Sequence, residues 1–98
     1  MFVGIARYDF LVPSSSSLKD KRKVVRALVG GLKSRFNVSV AEVDHQGLRQ
    51  RGTIAVSCVS ESSFHAKKML MEVERFVRGQ FSIEVLGAEL EVVNPENA

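Results

Sequence analysis

The hydrophobic period of this chain switches between two and about 3.6 in a fixed order, and no other feature constrains its fold as tightly. From Phe2 to Val12 the residues alternate: Ala6, Tyr8, Phe10 and Val12 fall on one face, and Val3, Ile5, Arg7, Asp9 and Leu11 on the other. That pattern predicts a strand with one buried side. Pro13 and the run Ser14–Ser17 end it, and a serine hydroxyl there can cap a following helix. Leu18, Val25, Leu28, Val29, Leu32 and Phe36 then recur at helical spacing, so a helix is expected over 18–36. Lys19, Arg22, Lys23, Arg26 and Lys33 fall on the opposite side. Gly30 and Gly31 inside it cost about 1 kcal/mol each relative to alanine. They are therefore expected to mark close approach to a neighbouring backbone, or an end or bend of the helix.

A second strand is expected over 37–43, where Val38 and Val40 alternate and Ala41-Glu42-Val43 break the alternation, as at a bulge or an exposed end. Asp44 to Arg51 reads as a polar loop containing Gly47, with Gly52 at its close. Thr53 to Ser60 reads as a third strand, with Ile54, Val56 and Cys58 facing one way and Ala55 and Ser57 the other. Ser62 or Ser63 caps a second helix, which Gly79 stops near Arg78 and which buries Ala66, Met69, Leu70, Val73, Phe76 and Val77. Phe81 to Val93 is strand again, with a parity shift at Leu86-Gly87 that predicts a bulge or a split. The order β-α-β-β-α-β, with right-handed crossovers, gives an α+β ferredoxin-like split β-α-β sandwich. Two helices cover one face of its antiparallel sheet. One domain is expected over 1–94, with residues 95–98 as a frayed tail. The other face, with Arg7, Asp9, Thr53, Ala55 and Ser57, is left open. Val3, Ile5 and Leu11 make it partly apolar, so a homodimer through this face or an edge is expected.

Composition narrows the class. Of the 98 residues, 45% are hydrophobic and 26% charged, which excludes a disordered chain. A single cysteine excludes an intrachain disulfide framework and a four-thiolate zinc site. No apolar run is long enough to cross a membrane, and no basic leader precedes the first apolar stretch, so a cytoplasmic protein without a signal peptide is expected. Net charge is +3, but residues 1–52 carry +6 and residues 53–98 carry −3. The excess lies in Lys19, Lys21, Arg22, Lys23 and Arg26, with Arg49 and Arg51 later. Cations three and four apart share a helix face and repel one another, and they sit badly at a helix N-terminus. A phosphate there would be favoured by the helix dipole and the free amides. The seven cations are therefore the candidate contacts for a phosphate backbone, against the plainer reading of a solvated helix face.

Other chemistries fit poorly. Base stacking on the central strands, as in RNA-recognition motifs, needs aromatics that Thr53–Ser60 lacks, and Tyr8 and Phe10 belong to the core face. No GXXG loop stands where a KH domain needs one. The place of the acylphosphatase phosphate loop holds Pro13–Ser17, without glycine or arginine. His45 neighbours Asp44 and Glu42, yet on a strand the two carboxylates face away from it and further ligands are missing, so hairpin capping or solvation is expected of it. Cys58 reads as core packing. His65, Met69 and Met71 take no special role. No metal and no cofactor are expected.

Two stretches, Ser17-Leu18-Lys19-Asp20-Lys21-Arg22 and Phe36 through Gln46 (FNVSVAEVDHQ), carry a likeness that the opening strand and Gln50-Arg51 extend over nearly the whole chain. In them the chain resembles the YlxP-like family of small bacterial proteins. The resemblance implies a ferredoxin-like fold and no particular activity. It also implies a gene neighbourhood shared with ribosome-binding factor A and translation initiation factors, which points towards ribosome biogenesis. The family loop commonly carries a large aromatic where this chain has Arg49. The expectation is a non-enzymatic binding module for RNA or a ribosomal particle. The alternative is a protein-interaction or regulatory module acting through the open sheet face, with Val3, Ile5, Arg7, Asp9 and Leu11 as its interface. A small-molecule enzyme comes third.

Overall fold

The computed structural model describes residues 1–97. Its elements are β1 (Phe2–Leu11), α1 (Leu18–Arg35), β2 (Ser39–Asp44), β3 (Arg51–Ser60), α2 (Ser63–Arg78), β4 (Glu84–Val93) and a short 3-10 turn over Pro95–Asn97. The four strands form one sheet in the order β2-β3-β1-β4, antiparallel throughout. This is the ferredoxin-like α+β sandwich that the periodicity predicts. The core lies between sheet and helices: Ala6, Tyr8, Phe10, Ile54 and Val56 from the strands meet Leu28, Leu32, Leu70, Val73 and Val77 from the helices. Burial, and then the charge of Glu74, push the Tyr8 phenol up to about 12, so it stays neutral at any ordinary pH.

The expected β2 bulge sits at Val43: Glu42 pairs with Ile54 and Asp44 with Thr53, leaving Val43 between them. A second bulge lies in β4 at Leu86, because Asp9 pairs with Gly87 and Phe10 with Val85. Several boundaries move. β3 begins at Arg51, two residues before the expected start, because its pairing with β1 continues through Gly52↔Phe10 and Leu11↔Arg51. Gly52 is thus a buried strand residue, and a Cβ there would meet the Phe10 ring at 2.7 Å. β4 begins at Glu84, and Phe81 stands wholly exposed in the turn before it. Where fraying was expected, Pro95–Asn97 forms the 3-10 turn, and the Met1 amino group lies 2.7 Å from the Glu96 carboxylate. Ala98, the end of the expected tail, lies outside the described residues.

The helical glycines differ from expectation and from each other. A Cβ at Gly31 would meet the Phe76 ring at 2.8 Å, so the close approach there is to an aromatic side chain of α2 and not to a backbone. Gly30 faces open space, with nothing within 4 Å of a built Cβ. α1 runs through both without ending.

Candidate nucleic-acid interface

α1 opens on a self-contained cap. The Ser17 hydroxyl accepts the Asp20 amide at 3.1 Å, and the Asp20 carboxylate accepts the Ser16 hydroxyl at 2.7 Å and the Ser16 amide at 3.3 Å. The Ser16 hydroxyl first, and the Ser16 amide next, hold the Asp20 carboxyl below the usual carboxylate range. The negative group favoured at this helix end is therefore already supplied by the chain. A phosphate at the N-terminal amides, as the sequence suggested, would have to displace Asp20.

The five cations between Lys19 and Arg26 on α1 divide. Lys19, Arg22, Lys23 and Arg26 are exposed, and none of them forms an ion pair among the described residues. Lys21 is fully buried. Its Nζ donates to the carbonyls of His45 at 2.8 Å and Gln46 at 3.3 Å, and lies 2.9 Å from Glu42 Oε2. The contact with Glu42 is an ion pair and not a directed hydrogen bond, since that oxygen has no hydrogen-bond partner of good geometry. Lys21 is thus corrected from a phosphate contact to an internal anchor. The signal was present in the sequence: Lys21 stands four residues before Val25, and Lys21, Val25, Leu28 and Leu32 are the buried stripe of α1.

Arg49 and Arg51 are exposed at the end of the molecule where α1 begins. The Val12 amide donates to the Gln50 carbonyl at 2.8 Å, and Gln50 Nε2 donates to the Ser15 carbonyl at 3.1 Å, seating this loop on the segment that leads into α1. Arg51 pairs with Leu11 on the open side of the sheet, so the structure does not bring it onto the α1 stripe. Arg22 and Arg26 instead rim a groove of about 370 Å³ with Val25, Val29, Glu42 and Gln46.

The open face also departs from expectation. Thr53 lies on it, opposite Asp9, yet is fully buried. Its hydroxyl donates to Asp9 Oδ1 at 2.5 Å, and His45 Nδ1 lies 2.7 Å from the same hydroxyl. His45 has φ 61°, the one non-glycine residue with positive φ among those described. Its amide donates to Asp44 Oδ1 at 2.7 Å, while Asp44 Oδ2 lies 3.5 Å from Arg7. The His45 amide first, and the charges of His45 and Arg7 after it, hold the Asp44 carboxyl below the usual range. His45 does more than cap the hairpin, because it ties the loop to two strands. Among the described residues, no group of three His, Cys, Asp or Glu is placed to hold a metal, and no helix is long and apolar enough to cross a membrane.

Sequence reasoning missed a second surface. On α2, Phe64 is 71% and Met71 56% exposed, and with Lys67, Lys68, Glu72 and Arg75 they line a groove of about 400 Å³. The negative balance of the second half hid these cations. Only their placement at spacings of three and four shows them sharing a face.

The class that this geometry defines is a ferredoxin-like sandwich with a basic first helix whose one inward lysine clamps the β2–β3 loop. The chain belongs to the family described as protein of unknown function (DUF503), which matches residues 3–90. It is similar to the "Uncharacterized protein YlxP" of Bacillus subtilis (strain 168), at 31% identity over 75 residues, covering 76% of this chain and 82% of that protein. The two stretches on which the YlxP-like resemblance rests meet in space: Lys21 from one holds Glu42, His45 and Gln46 from the other.

Proposed function

We propose that this protein is a non-enzymatic module that binds the phosphate backbone of RNA, free or in a ribosomal particle, through Lys19, Arg22, Lys23 and Arg26, with Arg49 as a flanking contact. One observation carries this reading. These four cations crowd one face of α1 without a carboxylate partner, while the fifth cation, Lys21, is neutralised inside. Like charges at these spacings destabilise a helix slightly, and an incoming polyanion relieves that repulsion while releasing its counterions. The gene neighbourhood implied by the YlxP-like resemblance supplies the ribosome as the first place to look. The test is capture on the tagged protein from its own cell lysate with and without nuclease. RNA is expected with the wild-type chain and is expected to be lost when Lys19, Arg22 and Lys23 become alanine. Equal recovery from both proteins overturns the reading.

A second reading rests on the open sheet face, where Val59 is 70% and Ile5 43% exposed and Val3, Val59 and Val93 lie in one cross-strand row. Such a corner suits a second copy of the chain. Sedimentation of I5E beside the wild type tests it: a salt-insensitive dimer reduced to monomer supports this interface, and an unchanged mass contradicts it.

A further inference from the structure

We infer that the outer face of α2 is a docking surface for an acidic amphipathic helix of a partner protein, on a part of the molecule that the RNA reading does not use. α2 carries two stripes. Ala66, Leu70, Val73 and Val77 face the core. Phe64, Lys68, Met71 and Arg75 fall half a turn round, directly away from it, and all four are exposed. Core packing therefore does not account for Phe64 and Met71. Their stripe recurs at spacings of four, three and four over three turns, which is the seam against which a second helix seats its side chains. Phe64 and Met71, with Lys67 and Lys68, wall a groove of about 400 Å³. A groove of about 510 Å³ flanks it on one side, from Glu72 and Arg75 to Arg35 and Phe36 at the end of α1. Another of about 270 Å³ flanks it on the other, from Lys67 and Met71 to Leu90 of β4.

Charge selects the occupant. Lys67, Lys68 and Arg75 form no ion pair among the described residues. Nor does Arg35, whose guanidinium lies 5.0 Å from the centre of the Phe76 ring. Glu72 is the one carboxylate lining the central groove, so three cations less one anion leave it at +2. A second copy offering the same face is repelled. A helix with carboxylates beside an apolar side chain is matched at every point: the side chain enters between Phe64 and Met71, the lysine stems extend the apolar wall, and the ammonium groups meet the carboxylates at the rim. Phosphate chains are served less well, because Glu72 repels them and α1 offers four cations with no carboxylate among them. A bilayer needs a broad apolar face, and here two apolar side chains stand on either side of a groove.

Peptide display on the full chain tests the inference. Helical peptides randomised along one face are selected on the wild type, and the enriched peptide is titrated into labelled protein by NMR. Enriched peptides are expected to carry Asp and Glu around a large apolar residue and to shift the amides from Phe64 to Arg75. The substitutions K67E and K68E together should weaken the enriched peptide about tenfold, and changing its acidic residues to lysine should restore binding to that variant. K19A, R22A and K23A together should leave peptide binding unchanged. No enrichment, a neutral or basic consensus, shifts on another face, or failure of the charge exchange overturns the inference. So does an RNA oligonucleotide or a phosphatidylserine vesicle that shifts Phe64 and Met71 where the peptide does not. None of these peptide results bears on RNA binding by α1, so the two readings fail separately.

Discussion

Lys21 and its neighbours on α1 are the same kind of residue put to opposite uses. Around Lys21 every charge is answered from within: two carbonyls and the Glu42 carboxylate surround the ammonium. One turn of the same helix away, Lys19, Arg22, Lys23 and Arg26 face solvent without carboxylate partners. A charge count treats all five alike. Burial separates them, and it predicts that the inner lysine governs stability while the outer four govern binding.

Breaking the inner region should give the largest effect. Lys21→Met leaves the Glu42 carboxylate and two loop carbonyls without their cation, and removing one member of a buried pair costs about 3–5 kcal/mol. Urea denaturation should show a lower midpoint of that order, against changes within about 0.5 kcal/mol for K19A, R22A, K23A or R26A singly. Thr53→Val comes next. It deletes the hydroxyl between Asp9 and His45 and should cost about 1–3 kcal/mol by the same measurement. Gly30→Ala sharpens the comparison from the outer side. With open space at that position, it should stabilise the protein by about 0.5–1 kcal/mol, whereas Gly31→Ala, which meets Phe76, should destabilise it.

The smallest effect is expected from pH. The folded-state pKa of Asp20 is lowered, so its contribution is fully present above the unfolded value of about 3.9 and is lost as pH falls through the lower folded value. Any stability advantage of the wild type over D20N should therefore be constant near neutrality and shrink only in acid. An advantage that shrinks between pH 7 and pH 5 would contradict this role of Asp20.

The fold was legible because each element advertises its own period, and the β2 and β4 bulges showed as breaks in alternation. Strand ends were less legible. Arg51 and Gly52 look like loop residues, and only their pairing with Leu11 and Phe10 across the sheet makes them strand. The site was half legible. Exposed cations on α1 follow from spacing, and Lys21 should have been read from that spacing too, since it continues the line of Val25, Leu28 and Leu32. The Asp9–Thr53–His45 chain was not legible. Its members are far apart in sequence, and both the register of β1 against β3 and the positive φ at His45 arise from tertiary contacts.

The most direct test of the central claim is the salt dependence of RNA binding. The logarithm of affinity for a single-stranded RNA should fall linearly with the logarithm of salt concentration, and the slope should flatten by about 0.7 for each of Lys19, Arg22, Lys23 and Arg26 replaced by alanine. A slope that stays the same when all four are gone would contradict the claim that this helix face meets a polyanion.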